Sequence, residues 1–132
     1  MAEISKEMKI VLIVNMVVAL IYGITHLLFP EGMHTLDDAP FFDPHFWRLF
    51  GGALTAIGIT FLLGLLNGEW NNIKILFQLA IIFLIITAVV NLTSFLYLSR
   101  STTNQIFHLF DNIVTILLLI LNILFYLREE KK

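Results

Sequence analysis

Four apolar stretches run along the chain, and each is long enough to cross a lipid bilayer. About 20 apolar residues suffice for a transmembrane helix, because a helix rises about 1.5 Å per residue. The polar segments between the stretches are short, so consecutive helices are expected to pack antiparallel as neighbours. The pattern predicts an all-α polytopic membrane protein, a single-domain antiparallel bundle of four transmembrane helices. The predicted spans are residues 10–29, 45–66, 73–98 and 105–127.

Polar and small residues recur within each span at intervals of three or four positions, which places them on one helix face. Four such faces packed together predict a bundle with a partly polar interior. Most of these polar side chains fall in the half of the bundle nearer the loop 29–44, which we call the outer half. The stripes are Asn15, Ala19, Tyr22 and His26; Arg48, Gly52, Thr55 and Gly58; Thr87, Asn91 and Ser94; and His108, Asp111, Asn112, Thr115 and Asn122.

Asp111 lies within the fourth span, where an unpaired carboxylate is costly. Arg48 is at a similar depth in the second span, and its planar guanidinium suits a carboxylate. The sequence therefore predicts an Arg48–Asp111 pair, with Asn91 and Asn112 completing its hydrogen bonds.

Two interpretations of this cluster stay open. In the first, it is the polar floor of a ligand pocket with apolar walls, a pattern typical of small-molecule sites. A membrane lipid or another lipophilic molecule with a polar head, such as a quinone, an isoprenoid or a sterol-like lipid, would fit. The ligand-binding candidates are Tyr22, His26, Trp47, Arg48, Asn91, His108, Asp111 and Asn112, with Phe50 and Phe107 as further wall residues.

In the second interpretation, the Arg48–Asp111 pair is a clamp between helices. The protein would then be a structural or accessory subunit of a larger membrane complex, or a homo-oligomer. An enzyme using His108 and Asp111 for proton transfer is a third hypothesis, but no complete catalytic constellation supports it.

Histidines suggest two lesser possibilities for cofactors. His26 and His108 lie at similar depth, as the ligands of a b-type haem would. A divalent metal bound by His26, His45, His108 and Asp111 is also conceivable, although this spacing is common by chance.

Composition supports the membrane class, since 58% of the 132 residues are hydrophobic and only 14% are charged. Soluble domains usually carry about a quarter charged residues. The net charge is −2 and no basic block is present, which argues against a nucleic-acid partner. The absence of cysteine excludes disulfides, thiol catalysis and Cys-ligated clusters.

The distribution of Lys and Arg indicates the orientation in the membrane. Six of these residues flank the ends of the spans on the side of the two termini, and only Arg48 and Arg100 are on the other side. The bias predicts a cell-membrane protein with both termini in the cytoplasm.

The longest connection, residues 29–44, carries four acidic residues, no Lys or Arg, and the aromatic residues Phe41 and Phe42. Either it is an ordinary solvated loop, or it folds back over the bundle as a lid. Its end, Asp43-Pro44, has the signature of a helix N-cap followed by proline at the first helical position.

The stretch YGITHLLFPEG…DPHFWRLFGGALTAIGITFLLG, residues 22–64, resembles the DoxX-like group of small four-helix membrane proteins. The shared features are a first span ending in a small residue and proline, a short loop, then arginine followed by spaced glycines. Here these are Gly23, Pro30, Arg48, Gly51 or Gly52, and Gly58. The resemblance implies a four-helix bundle and an association with membrane redox or quinone systems, but no particular reaction and no catalytic residue.

Overall fold

The computed structural model describes residues 4–97 and 102–131, and this part of the chain is an antiparallel bundle of four long helices with one short helix. All four long helices are apolar enough to cross a membrane. The protein is therefore an all-α integral membrane protein, as the apolar pattern predicted. The helices are α1 (Lys6–Leu28), α2 (Pro30–Asp37), α3 (Pro44–Asn67), α4 (Trp70–Tyr97) and α5 (Thr102–Glu130).

Local sequence signals fix where the helices begin and end. The Ser5 side chain caps α1 by accepting a hydrogen bond from the Met8 amide. Asp43 caps α3 in the same way, and Pro44 occupies its first turn, as predicted. Gly68 ends α3 in the left-handed conformation (φ 67°), which glycine adopts without steric cost.

Helices α1 and α3 form the most extensive helix pair, and glycines let their backbones approach closely. A Cβ atom on Gly51 would lie 2.5 Å from the Leu27 amide nitrogen, and one on Gly23 would lie 2.5 Å from the Thr55 hydroxyl. Gly58 packs in the same way against Leu20. Without a hydrophobic force between helices in lipid, such close van der Waals packing holds a pair together.

Helices α4 and α5 form the second pair, and the two pairs join at the end of the bundle that carries the chain termini, which we call the terminal end. An apolar cluster fills this end, with Met8, Leu12, Phe61 and Phe77 almost fully buried. The rings of Phe61 on α3 and Phe77 on α4 meet edge to face at 6.0 Å. The terminal end is therefore densely packed.

Polar contacts reinforce the terminal end. Lys74 forms an ion pair with Glu130, and Ser5 donates a hydrogen bond to Glu129. Further along the bundle, the side-chain amides of Asn15 on α1 and Asn122 on α5 donate to each other at 3.2 and 2.9 Å. Beyond this tie, towards the end that carries α2, the two helix pairs enclose a cavity.

Candidate functional site

A cavity of about 440 Å³ lies between the α1–α3 pair and the α4–α5 pair, from the Asn15 level to the end that carries α2. We call this end the α2 end. Most of the cavity wall is apolar, with Phe46, Phe50, Phe83 and Leu118 among its residues. The polar wall residues are Asn15, Tyr22, His26, Asp37, Thr87, Asn91, Asp111 and Thr115. These polar side chains therefore lie on the interior faces of the helices at this end of the bundle.

Asp111 is the centre of the polar wall, and it is bonded to neutral donors from two other helices. The Asn91 side-chain amide on α4 donates a hydrogen bond to Asp111 Oδ2. The Tyr22 hydroxyl on α1 is a second hydrogen-bonding partner of the Asp111 carboxylate. Three helices thus converge on one carboxylate, which sits at the wall of a largely apolar space.

The predicted Arg48–Asp111 pair is wrong. Arg48 is exposed and does not line the cavity. Successive residues turn by about 100° around a helix axis, and the neighbouring Trp47 takes the inward position at this level of α3. Gly52, assigned to the same stripe, also lies off the packed face, since nothing lies within 4 Å of a Cβ placed there.

An aromatic layer adjoins Asp111. His26 is buried, and its Nδ1 lies 2.7 Å from the Tyr22 carbonyl oxygen, to which the Nδ1–H donates a hydrogen bond. The Trp47 ring stacks on the imidazole of His26 with 5.5 Å between the ring centroids. The Phe50 ring lies in a T-shaped arrangement with the same imidazole, with 5.2 Å between the centroids. Tyr22, His26 and Trp47 therefore lie together in the cavity wall, where the sequence analysis placed them, and Phe50 and Phe107 also line it.

His108 lies behind the cavity wall and holds α2 in place. Its Nε2 is 2.8 Å from Asp37 Oδ1 and 2.9 Å from the Asp37 carbonyl oxygen. Asn112, also buried, donates its side-chain amide to the His108 carbonyl at 2.8 Å. Neither residue is among those that line the cavity, so these two sequence-based candidates support the wall from behind.

This position of His108 does not fit a haem between His26 and His108. A bis-histidine haem needs a ring nitrogen of each histidine directed at the iron. The His108 Nε2 is directed at α2, and the His26 ring is stacked between aromatic side chains. Among the described residues, no three His, Asp or Glu side chains converge as metal ligands would, and His45 is exposed.

The connection between α1 and α3 covers the α2 end of the cavity. Helix α2 packs against α1, α3 and α5, and Met33, Asp37, Ala39 and Phe41 border the cavity. Of the two interpretations of this connection, its geometry agrees with the lid that folds back over the bundle.

Several cavity residues were absent from the sequence-based candidate set. Thr87 and Thr115 belong to the predicted polar stripes, so their spacing indicates that they face inward. Asn15 belongs to the first polar stripe and lies at the deep end of the cavity. Asp37 had no recognisable signal, because its place depends on how α2 folds back.

Comparisons with known proteins provide no assignment. The chain matches no protein-family model, no curated protein and no solved structure.

Proposed function

We propose that this small integral membrane protein binds a lipophilic small molecule or a membrane lipid in the cavity between its two helix pairs. The observation that carries the proposal is an apolar cavity of about 440 Å³ with a few polar groups converging at Asp111. Ligand sites commonly measure roughly 300–1,000 Å³ and combine apolar walls with a few orienting polar groups.

The distribution of wall residues indicates how such a ligand would lie. Its polar head would contact Asp111, Tyr22 and Asn91, and its apolar body would lie against Phe83 and Leu118. A bundle surrounded by lipid receives such molecules from the bilayer itself. Quinones, isoprenoids and sterol-like lipids have the required combination of an apolar body and a small polar head.

The resemblance of residues 22–64 to DoxX-like proteins is compatible with this proposal, because it implies a link to membrane redox or quinone systems. We propose a location in the cell membrane with both termini in the cytoplasm. The excess of Lys and Arg at the terminal end supports this orientation.

Native mass spectrometry on protein released from lipid nanodiscs tests the proposal. The wild-type chain should retain a small molecule in defined stoichiometry. Thr87→Phe places a bulky ring in the cavity wall, so the retained mass should be lost. Thr93→Phe is the matched control, since Thr93 is exposed on the same helix and does not line the cavity.

Two other results of the mass spectrometry would count against binding in the cavity. Equal retention by both variants would place the bound molecule outside the cavity and contradict the proposal. A bare chain found only with a protein partner, or only as a homo-oligomer, would favour a structural subunit instead.

A further inference from the structure

We propose that the ligand carries a cationic head, an amine or a quaternary onium group, which binds between the Asp111 carboxylate and the aromatic layer of Tyr22, Trp47 and Phe50. This inference rests on the proposed ligand-binding function and adds the charge of the ligand's head. Three features of the wall carry it: its charge balance, its hydrogen-bonding groups and its rings.

Charge balance is the first feature: the basic groups that act on the Asp111 carboxylate are the imidazoles of His108 and His26. Among the described residues, no Lys or Arg lines the cavity or pairs with Asp111. The second carboxylate in the wall, Asp37, has His108 against it at 2.8 Å. Two carboxylates, Asp37 and Asp111, therefore line a cavity whose described wall contains no Lys or Arg. A carboxylate in an apolar site needs a counter-ion or a proton.

The hydrogen-bonding groups around Asp111 leave room for a donor on the ligand. The donors Asn91 and Tyr22 are already directed at the carboxylate, which can accept about four hydrogen bonds. Asp111 also lines the cavity, so a donor on a ligand there could reach the carboxylate. A quinone carbonyl is also only an acceptor, so it cannot form a hydrogen bond with the carboxylate itself. An ammonium group supplies the donor and the charge together.

The rings of the aromatic layer complete a site for a cation. The Trp47 and His26 rings stack with an interplanar angle of 14°, and Phe50 closes the layer edge-on. Cations bind to the faces of Trp and Tyr rings, and the attraction grows when water is excluded. Quaternary cations without N–H groups are recognised in the same way, so both kinds of onium head fit.

A charge series of matched probes tests the inference. Equilibrium binding of radiolabelled tetraphenylphosphonium is measured on protein in nanodiscs, with empty nanodiscs as the background. Neutral triphenylphosphine oxide and anionic tetraphenylborate are the competitors. We expect saturable binding of the cation, with neither competitor displacing it at comparable concentration.

Variants at two aspartates locate the site. Asp111→Asn should weaken tetraphenylphosphonium binding by about tenfold or more, because it removes the charge that attracts the cation. Asp111→Glu should restore much of it. Asp38→Asn is the matched control and should have no effect, since Asp38 is exposed, does not line the cavity, and has φ 51°, which asparagine tolerates.

Two different negative results would separate the charge of the ligand's head from ligand binding itself. If triphenylphosphine oxide binds as tightly as the cation in the wild-type protein, the cationic head is wrong while ligand binding stands. This comparison needs no variant, so it holds even if Asp111→Asn does not fold. If no probe of any charge binds saturably and no native ligand is retained, the proposed function itself fails.

Discussion

At the scale of single residues, the tie between Asn15 and Asn122 closes the cavity towards the terminal end. Both side chains are buried, Asn122 completely, and each amide donates to the other. Each amide also donates to the carbonyl four residues earlier in its own helix, Asn15 to Val11 and Asn122 to Leu118. The pair therefore links α1 to α5 in the buried interior of the bundle.

We predict that the two asparagines are energetically coupled. Asn122→Leu should lower the free energy of unfolding because it leaves the Asn15 amide without its partner on α5. A double-mutant cycle with Asn15→Leu should give a coupling of at least about 0.6 kcal/mol, which is the average for hydrogen bonds between membrane helices, and at most about 1.7 kcal/mol. Unfolding in mixed micelles measures it, and strictly additive effects would contradict the tie.

Helix periodicity in the sequence is enough to identify some of the inward-facing residues. The spacing of Tyr22, His26, Asn91 and Asp111 was enough to direct these residues inward, because helix periodicity is regular. The partner of Asp111 could not be found in the same way. Arg48 is one position from the inward-facing Trp47, and the rotational phase of a helix is set by packing, which the spacing alone does not reveal.

At the scale of helices, the adjacent residues Gly51 and Gly52 of α3 differ in how much space surrounds them. A Cβ on Gly51 would lie 2.5 Å from the Leu27 nitrogen and 2.7 Å from the Gly23 oxygen, both backbone atoms. A Cβ on Gly52 would meet nothing within 4 Å. The close approach of α1 and α3 therefore depends on one glycine of the pair and not on the other.

We predict that Gly51→Ala lowers the free energy of unfolding by roughly 1–3 kcal/mol, the usual cost of overpacking. Gly52→Ala should be neutral or should stabilise the protein by up to about 1 kcal/mol, because alanine favours helix more than glycine does. Unfolding followed by circular dichroism measures both. Equal effects of the two variants would show that α1 and α3 do not approach at Gly51.

The second prediction for the helices concerns α2. The bonds from His108 Nε2 to the Asp37 carboxylate and carbonyl tie α2 to α5. His108→Leu keeps much of the side-chain volume but removes both bonds, so α2 should loosen. A spin label on Thr35→Cys reports this motion, because Thr35 is exposed and the chain has no other cysteine.

The control for this experiment is His45→Leu, since His45 is exposed at the start of α3. The spin label should become more mobile in His108→Leu and stay unchanged in His45→Leu. Identical spectra for wild type and His108→Leu would mean that the His108–Asp37 contact does not hold α2.

Helix α2 itself was beyond the sequence analysis. Residues 30–37 are polar enough to be a solvated loop, and their sequence gives no apolar periodicity long enough to indicate a helix. Its position depends on contacts with α1, α3 and α5 that exist only in the folded bundle. The longer helices α1, α3, α4 and α5, in contrast, followed directly from the length of their apolar stretches.

At the scale of the whole molecule, the bundle has one packed end and one hollow end. Phe61, Phe77 and Met8 fill the terminal end, whereas the two helix pairs enclose the cavity at the α2 end. Hydropathy predicts four membrane helices, but it does not report how far apart they pack. The cavity was therefore a hypothesis from polar spacing, and its volume could come only from the structure.

We predict that the hollow end faces away from the cytoplasm, because Lys and Arg are concentrated at the terminal end. Single cysteines at Thr35 and Asn71, both exposed and at opposite ends of the bundle, should differ in labelling by a membrane-impermeant maleimide. In intact cells only Thr35→Cys should react. If only Asn71→Cys reacted, the protein would have the opposite orientation, with its terminal end outside the cytoplasm.

A crystal structure of the wild-type protein grown in a lipidic mesophase would show whether the space between the two helix pairs holds a ligand. We expect electron density for an apolar molecule between Phe83 and Leu118, with its head within hydrogen-bonding distance of the Asp111 carboxylate. Helix pairs closed against each other, with protein side chains filling the space, would contradict this expectation.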